Sequence, residues 1–248
     1  MSDRSNIEWT EATWNPVAGC TIVSPGCTNC YAMKLAERLA LMNQPKYQGL
    51  ARRLGCRPKW IGKIRIDEKA LEIPSRWKQG RMIFVNSMSD LFHEDVTVIF
   101  IQRVFSVIEA YPRYTLQILT KRSERLRKIS GELSWPANAW MGVSVENADY
   151  KQCIDDLRET GARVKFLSLE PLLGDLGELK LSGIHWAIAG GESGPGARPM
   201  DAEWVRSIRD QCVENGVAFH FKQWGGVNKK RTGRILDGRT WDEFPQAA

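Results

Sequence analysis

The sequence predicts an α/β protein built as a (β/α) barrel, partial in extent, with about six to seven parallel strands. Short apolar runs alternate with amphipathic stretches along most of the 248 residues, as in parallel sheets covered by helices. The apolar runs are followed by polar residues, as at the mouth of a barrel where active sites are built. With 43% hydrophobic and 26% charged residues, the chain is long enough for one large core.

The predicted elements follow one another along the chain. A short strand is expected around residues 13–17, and a helix at 31–43, where Leu35, Leu39 and Met42 recur at helical spacing. Six further apolar strands are predicted at residues 82–86, 114–119, 140–145, 163–169, 185–189 and 217–221. Helices are predicted between them at residues 96–110, 123–129 and 148–160, in a short piece after Pro171, and from an Asp201 cap to residue 215.

The chain is expected to form one domain with a short extension. Residues 1–222 are assigned to the barrel domain, with a cysteine loop at 14–32 and a basic insertion at 44–66. Residues 223–248 are assigned to a basic C-terminal extension packed on the barrel. No apolar run is long enough to cross a bilayer, and residues 1–5 lack the layout of a secretory signal. We therefore expect a cytoplasmic protein without a membrane partner.

Three of the six cysteines, Cys20, Cys27 and Cys30, fall within eleven residues. In a reducing cytosol such spacing indicates metal binding or redox chemistry rather than disulfides. Three thiolates leave one coordination position open for chemistry, whereas four would close a structural site. The other three are scattered: Cys153 and Cys212 are expected in the core, on apolar helix faces, and Cys56 stands alone in the basic insertion.

The net charge of +6 and a pI near 9.0 make an anionic partner plausible, and the positive charge is clustered. Between residues 44 and 65 there is no acidic residue, and Tyr47 and Trp60 interleave with the cations, a composition suited to nucleic acid. Two more basic stretches lie at residues 121–128 and 222–239. A solvated basic surface is the alternative for each stretch alone. The seven cations of the first stretch are Lys46, Arg52, Arg53, Arg57, Lys59, Lys63 and Arg65.

Polar side chains follow the predicted strands at their C-terminal ends. In a barrel these ends converge on one mouth, so the residues are candidates for a shared site. For any single residue, a helix cap or a turn is an equally good explanation. The candidates are Asn86, Ser87, Asp90, Thr120, Lys121, Ser144, Glu146, Asn147, Glu170, Glu192, Ser193, Lys222 and Gln223.

These motifs resemble two groups of proteins. A cysteine loop and helix at the start of a strand-helix barrel is similar to the radical S-adenosylmethionine (radical SAM) superfamily. More closely, the chain resembles a family of phage and bacterial proteins of unknown function, which would form a divergent branch of that superfamily. The segments that carry this second resemblance span most of the chain: Trp14-Asn15-Pro16, Gly19-Cys20, Gly26-Cys27, Asn29-Cys30-Tyr31-Ala32, and residues 84–92, 119–122, 142–147, 168–172 and 190–194.

The cysteine motif departs from the superfamily pattern in two places. The superfamily spacing is Cys-x3-Cys-x2-Cys, whereas six residues separate Cys20 from Cys27 here. A longer first gap adds little closure entropy, and a Pro-Gly pair can turn the chain back. Asn29 stands where the superfamily usually has an aromatic residue, and Tyr31 is the expected aromatic wall.

The radical SAM resemblance implies a [4Fe-4S] cluster held by Cys20, Cys27 and Cys30, with S-adenosylmethionine on the fourth iron. One electron from a donor protein would cleave S-adenosylmethionine to a 5′-deoxyadenosyl radical, which abstracts hydrogen from the substrate. Further cofactor contacts are implied for Tyr31, for Asn86, Ser87 and Asp90 at the amino group, for Ser144 and Glu146 at the ribose, and for Glu170 and Glu192. Substrate contacts are implied for Lys121, Lys222 and Gln223.

The substrate expected from the resemblance and the basic flanks is a nucleic acid, with DNA favoured, in a bacterial or phage-infected cytoplasm. A base would be modified, rearranged or repaired after being flipped out or presented single-stranded. Two alternatives stay open. One is a closed structural zinc site made by the three cysteines and His93. The other is a nucleic-acid-binding protein that keeps the cluster for structure and has no catalytic activity.

Overall fold

The computed structural model describes residues 5, 7–55 and 57–246, so Cys56 lies outside the described residues. Eleven strands and six α-helices are present in this part of the chain. The strands are β1 (Ala12–Trp14), β2 (Val17–Ala18), β3 (Ala51–Leu54), β4 (Arg57–Trp60), β5 (Arg65–Ile66), β6 (Met82–Val85), β7 (Thr115–Thr120), β8 (Ala139–Ser144), β9 (Val164–Leu169), β10 (Trp186–Gly190) and β11 (Ala218–Gln223). The helices are α1 (Tyr31–Leu41), α2 (Val98–Ala110), α3 (Ser123–Ile129), α4 (Gln152–Arg158), α5 (Ala202–Glu214) and α6 (Lys229–Thr232).

Seven strands form one sheet in the order β1-β6-β7-β8-β9-β10-β11, and every neighbouring pair is parallel. The sheet curls into a half-barrel whose edge strands are β1 and β11. Consecutive strands lie side by side because the connections between them return the chain to the same end of the sheet. All of these connections contain a helix except the one between β9 and β10, which is irregular. The predicted partial barrel is compatible with this architecture.

One face of the sheet packs against the helices and holds the larger apolar core. Side chains alternate along each strand, so every second residue of a strand faces outward. Val85, Ile118, Val143 and Leu169 are examples of buried outward residues in this core. Cys153 on α4 and Cys212 on α5 belong to the same cluster, which confirms their predicted place in the core. The outward strand residues are thus apolar because they pack against the helices, and no functional role is needed to explain them.

The inner face carries a second, aromatic cluster that fills the closed end of the half-barrel. We call Trp9, Phe84, Trp140, Phe166 and Trp186 the aromatic floor. Trp9 enters from the segment before β1 and meets Phe84 with ring centroids 4.8 Å apart and Trp186 at 6.2 Å. Gly142 on β8 lies against the aromatic floor. A Cβ at this position would lie 2.4 Å from the Phe166 ring, so a larger residue would collide with it. The floor closes one end of the interior and leaves the C-terminal ends of the strands open.

One predicted helical segment is absent from the structure. No helix forms after Pro171, where the expected helical piece was wrong. The segment runs in irregular conformation over the core, with Leu172, Leu176, Leu179 and Leu181 buried. Side chains from outside the segment donate hydrogen bonds to its backbone carbonyl groups. Lys151 donates to the carbonyls of Leu176 and Glu178, and Arg158 donates to that of Ser182. Side-chain donors therefore replace the helical hydrogen bonds of this segment.

The basic insertion is a folded segment rather than a loop. β3 and β4 pair as an antiparallel hairpin, and β5 pairs antiparallel with β2 beside the cysteine loop. The hairpin packs on α1, where Leu50 and Trp60 are buried with Met33. The insertion is therefore attached to the first helix after the cysteines.

The C-terminal segment runs along the free edge of β11. Trp241 and Glu243 exchange backbone hydrogen bonds with Phe221 and Phe219, and Phe244 packs on Trp186 with centroids 4.9 Å apart. This pairing covers a sheet edge that would otherwise expose unpaired backbone groups. Over the described residues, none of the helices combines the length and the apolar character that crossing a membrane would require.

His220 on β11 generates a prediction about acid stability. It is 1% exposed beside Trp186 and Phe244, and burial followed by the charge of Arg234 lowers the pKa of its imidazole to about 4. Below pH 6.5 the unfolded chain binds the proton and the folded protein does not, so stability falls as the pH drops from 6.5 to 4. The free energy of unfolding of the wild type should fall by about 2–3 kcal/mol over this range because of His220, and the His220→Gln variant should not show this fall.

Urea unfolding of the wild type and the His220→Gln variant at several pH values measures this difference. The other two histidines titrate in both proteins and cancel in the comparison. Stability curves that run parallel between pH 6.5 and 4 would show that His220 is not the cause.

Candidate functional site

A cavity of about 590 Å³ opens at the C-terminal ends of the barrel strands, above the aromatic floor. The thiols of Cys20, Cys27 and Cys30 lie along one wall of it. Of the other site residues predicted from sequence, Asn147 does not line the cavity, whereas twelve do: Tyr31, Asn86, Ser87, Asp90, Thr120, Lys121, Ser144, Glu170, Glu192, Ser193, Lys222 and Gln223. Glu146 does not line the cavity and lies behind the cysteine loop.

The cysteine loop presents three free thiols, none of them in a disulfide. Pro25–Cys27 forms a single 3-10 turn, and Cys30 is the N-cap residue of α1. Burial raises the pKa of the Cys20 thiol to about 12 and also raises that of Cys30, although backbone N–H groups of the first helical turn partly offset it at Cys30. Burial therefore favours the protonated thiols unless positive charge is placed beside them.

Arg122 is the nearest cationic side chain to the thiols. Its Nη1 lies 3.7 Å from the Sγ of Cys20 and 3.0 Å from Asp90, and its Nη2 donates to the hydroxyl of Thr21 at 2.6 Å. Its Nε donates to both oxygens of Glu94. With 4% of its side chain exposed, Arg122 joins the first cysteine to the end of β7.

The Asp90 carboxylate is fully engaged by the protein. Its Oδ1 accepts from the Thr120 hydroxyl at 2.7 Å and from the Phe92 backbone at 2.9 Å. Its Oδ2 accepts from the Lys121 backbone and from Arg122, both at 3.0 Å. Asp90 thus fastens the loop after β6 to the end of β7, although it also lines the cavity.

Glu146, at the end of β8, fastens the cysteine loop. It is 1% exposed and accepts from the Ser24 hydroxyl at 2.7 Å, from the Gly26 backbone at 2.5 Å and from Lys121. A Cβ on Gly26 would lie 2.3 Å from the carboxylate, so only glycine permits this approach. The carboxylate that the resemblance places at a ribose is therefore directed at the loop that carries Cys27.

Glu192, after β10, holds the same loop from the other side. It accepts from Asn29 at 2.9 Å and from two nitrogens of the Arg198 side chain, and Arg198 also donates to the Pro25 carbonyl. Burial acts to raise the pKa of Glu192, but the hydrogen bonds from Arg198 and Asn29 lower it overall. Glu192 is therefore an ionised clamp at the edge of the cavity.

Two more ion pairs lie along the far wall. Lys222 donates to both oxygens of Glu170 at 2.7 and 2.8 Å, and Gln223 donates to the same carboxylate at 2.7 Å. Glu8 pairs with Lys229 at 3.0 Å, across the opening between the two sheet edges. The predicted substrate residues Lys121 and Lys222 are thus each paired with a carboxylate. Lys121 pairs with Glu146 at the end of the neighbouring strand β8, whereas Lys222 on β11 reaches Glu170 after β9, two strands away.

Three residues that line the cavity carry a buried donor with no hydrogen-bond partner among the described residues: the indole Nε1 of Trp9, the amide Nδ2 of Asn86 and the hydroxyl of Ser193. Asn86 follows β6 with φ of 61°, a left-handed conformation that asparagine tolerates. Its Oδ1 accepts from the Val17 backbone at 3.2 Å, which fixes the orientation of the amide. Because buried polar groups are nearly always satisfied, these donors indicate a place for a ligand's acceptors.

Tyr31 and Ser87 lie together at the rim. The Tyr31 hydroxyl donates to the Ser87 carbonyl at 2.7 Å, and the Ser87 hydroxyl donates to Asn15 at 3.1 Å. The Tyr31 side chain is 53% exposed, so one face of the ring is available at the mouth. Ser144 lies deeper, on the end of β8, and is buried.

His93 is occupied away from the thiols. Its Nε2 lies 3.2 Å from the Thr21 hydroxyl, and its Nδ1 accepts from the Asp95 backbone at 3.1 Å. Within residues 5, 7–55 and 57–246, no three His, Cys, Asp or Glu side chains form a group that could hold a metal ion. In a cubane cluster each thiolate binds a different iron, so its ligands stand farther apart than those of one ion.

Four residues of the site were missed by the sequence reasoning: Arg122, Arg198, Glu8 and Lys229. Arg122 directly follows two polar residues at a predicted strand end, so the signal for it was present. Arg198 lies six residues after Glu192 in an irregular loop, and Glu8 and Lys229 meet across the sheet opening. No local pattern marks such long-range pairs.

Comparison with known proteins gives one match. A family model described as "Protein of unknown function (DUF5131)" matches residues 4–245. No curated protein and no solved structure matches the chain. The expected family of unknown function is thereby found, and the link to the radical SAM superfamily stays a prediction.

The buried ion pair of Arg122 and Asp90 yields a prediction about stability. Replacing Arg122 with methionine leaves the Asp90 charge buried without its cation, and we expect unfolding free energy to fall by about 3–5 kcal/mol. The matched control is Arg127→Met on α3, whose side chain is 40% exposed and pairs with Asp156. That substitution should cost less than about 1 kcal/mol.

Urea unfolding of both variants at neutral pH measures the two losses. Adding Asp90→Asn to Arg122→Met should recover part of the stability, because the unpaired charge is removed. Equal small losses for Arg122→Met and Arg127→Met would contradict the ion pair's structural role.

Proposed function

Since the chain belongs to the DUF5131 family of proteins of unknown function, we propose its function from the site: an iron-sulfur enzyme of the radical SAM type. Cys20, Cys27 and Cys30 would hold a [4Fe-4S] cluster, and S-adenosylmethionine would bind beside it in the cavity. The observation that carries this proposal is the placement of three free thiols on one wall of an open cavity at the strand ends of a parallel half-barrel. Three thiolates leave one iron free for a ligand.

The donor set and the cavity fit these groups. Thiolates are the usual ligands of iron-sulfur clusters, and the first helical turn after Cys30 offers backbone N–H groups that stabilise negative charge. The unpartnered donors of Asn86 and Ser193 offer hydrogen bonds to acceptor atoms of a ligand. Cluster and S-adenosylmethionine, when both are bound, supply one-electron cleavage of the sulfonium to a 5′-deoxyadenosyl radical.

The chain's own residues hold the loop and shape the cavity. Glu146 and Glu192 clamp the cysteine loop from two sides, so their main contribution is to position Cys27 and Cys30. The resemblance implies Asn86 at the amino group of S-adenosylmethionine, but its oxygen already accepts from Val17 and its free group is a donor. Asn86 would therefore donate to the carboxylate of the ligand instead. The aromatic floor excludes water from the base of the cavity, which protects a reactive species.

The substrate we propose is a nucleic acid, with DNA favoured, and the target is a base presented at the cavity mouth. Net charge of +6 supports an anionic partner. A base must leave the stack to reach a cavity bounded by the strand ends. A separate one-electron donor protein completes the reaction, and the cytoplasm is the proposed compartment.

The cluster assignment predicts the effect of cysteine substitutions. Protein purified without oxygen and reconstituted with iron and sulfide should be coloured and should form 5′-deoxyadenosine from S-adenosylmethionine in the presence of dithionite. Cys20→Ser, Cys27→Ser and Cys30→Ser should each lose most of the bound iron and the visible absorption, because one thiolate ligand is missing. Iron and sulfide analysis with absorption spectroscopy measures this.

Cys153→Ser is the matched control, since Cys153 is a buried core thiol on α4. It should retain the wild-type iron content. A colourless protein that keeps one zinc per chain would overturn the proposal in favour of a structural site.

The free amide of Asn86 predicts a binding effect. Asn86→Asp keeps an oxygen for the Val17 backbone but replaces the donor with a second oxygen, which repels a ligand carboxylate. We expect the affinity for S-adenosylmethionine to fall at least roughly tenfold, the effect of losing a hydrogen bond to a charged group. Calorimetric titration of the reconstituted protein measures it.

Ser75→Ala, on a distant exposed turn, serves as the control and should leave the affinity unchanged. Retention of full affinity by Asn86→Asp, with an unchanged melting temperature, would remove Asn86 from the cofactor site.

A further inference from the structure

The basic insertion uses four of its seven cations to hold itself together. Lys46 pairs with Asp67, Arg53 with Glu37 and Arg57 with Asn29, and Arg65 donates to the carbonyls of residues 45 and 48. The other three are exposed and form no hydrogen bond or ion pair with a described residue. We call these three, Arg52, Lys59 and Lys63, the basic patch.

Two members of the basic patch stand directly opposite each other. In the hairpin register, Arg52 on β3 pairs with Lys59 on β4. Like charges directly opposite destabilise a strand pair, and no acidic side chain of residues 44–66 relieves them. The alternate face of the hairpin, which includes Trp60, packs on α1. The free face is therefore a concentrated positive surface without an internal counterion.

The backbone segments that carry the basic patch lie next to the cavity and the cysteine loop. Trp60, one residue after Lys59, lines the cavity wall. The Lys63 carbonyl packs so closely on Gly19 that a Cβ there would lie 2.3 Å away. Arg57 reaches Asn29 of the cysteine loop. The hairpin and the segment that follows it therefore border the cavity wall and the cysteine loop.

The aromatic residues of the insertion do not add a stacking surface. Trp60 is 9% exposed, and its backbone N–H donates to the sulfur of Met33. Tyr47 is half-buried against the same cluster, and burial raises the pKa of its hydroxyl. Because neither ring is free for bases, the patch offers charge alone. Charge alone contacts phosphates and does not read sequence.

We propose that Arg52, Lys59 and Lys63 bind the phosphate backbone of a single-stranded nucleic acid and lay it across the cavity mouth. The proposal rests on the proposed function for the identity of the polymer, and it adds the surface that positions it. Binding at this surface is independent of base sequence, so selection of the target base is left to the cavity. A single strand satisfies the need for an unstacked base without a separate flipping step.

The test is the salt dependence of binding. A fluorescein-labelled 20-nucleotide single-stranded DNA of mixed sequence is titrated with the full chain by fluorescence anisotropy, from 50 to 200 mM KCl. The triple variant Arg52→Ser, Lys59→Ser, Lys63→Ser should lose three phosphate contacts. Each contact contributes about 0.7 to the slope of log affinity against log salt concentration, so the slope should become shallower by about 2. Affinity at 100 mM KCl should fall roughly tenfold or more.

The matched control removes the same net charge elsewhere: Lys78→Ser, Arg163→Ser and Lys180→Ser. Lys78 and Arg163 precede β6 and β9, at the end of the sheet away from the cavity, and all three are exposed. This control should bind like the wild type. Equal weakening by both triple variants, an unchanged slope in the patch variant, or tighter binding to phosphatidylserine vesicles than to the DNA would each overturn the proposal.

Lys59→Glu separates binding from folding. It places an acid opposite Arg52, so the hairpin should gain a favourable cross-strand pair and the melting temperature should not fall. DNA affinity should nevertheless decrease several-fold. Unchanged affinity in this variant contradicts the proposal. These assays need no cofactor, and 5′-deoxyadenosine formation needs no DNA, so failure of the basic patch and failure of the proposed enzyme are distinguished.

Discussion

The buried carboxylate of Glu146 is the interaction on which the rest of the site depends. A carboxylate that is 1% exposed is stable only when its acceptor positions are filled, and here the donors come from the cysteine loop and from Lys121 at the end of β7. The loop of irregular backbone is thereby held against two strand ends of the half-barrel. The position of Cys27, one residue after Gly26, follows from this contact. Correct folding of these strand ends therefore also positions the cysteine loop that lines the cavity.

Charges around the cavity are arranged in neighbouring pairs rather than as a field of one sign. Arg122 pairs with Asp90 across the ends of adjacent strands, Arg198 with Glu192 within the loop after β10, and Lys222 on β11 with Glu170 after β9. Side chains that are already paired hold a fixed geometry and lose little freedom when a ligand enters. Arg52 and Lys59, whose side chains have no such partner among the described residues, lie outside the cavity on the hairpin.

Much of the fold follows from local patterns. The strand expected at 82–86 is Met82–Val85, and that expected at 163–169 is Val164–Leu169, because an apolar run and its polar end are both visible within a few residues. Convergence of the strand-end residues also follows, since parallel strands share one C-terminal edge. The contacts that each side chain makes cannot be predicted from local sequence patterns. Glu146 contacts a loop 120 residues earlier, and only the absence of a side chain at Gly26 allows it. The leucines after Pro171 have helix-like spacing, but donors from α4 satisfy that backbone in another conformation.

The aromatic floor sets the order in which the protein can be completed. Trp186 contacts Trp9 from the start of the chain and Phe244 from near its end, so one buried ring joins segments that are 235 residues apart. Contacts of such long sequence separation form late, because the intervening chain must first be ordered. During synthesis the inner face of the half-barrel stays partly uncovered until residue 244 has left the ribosome. A nascent chain therefore exposes an apolar interior until this ring cluster closes.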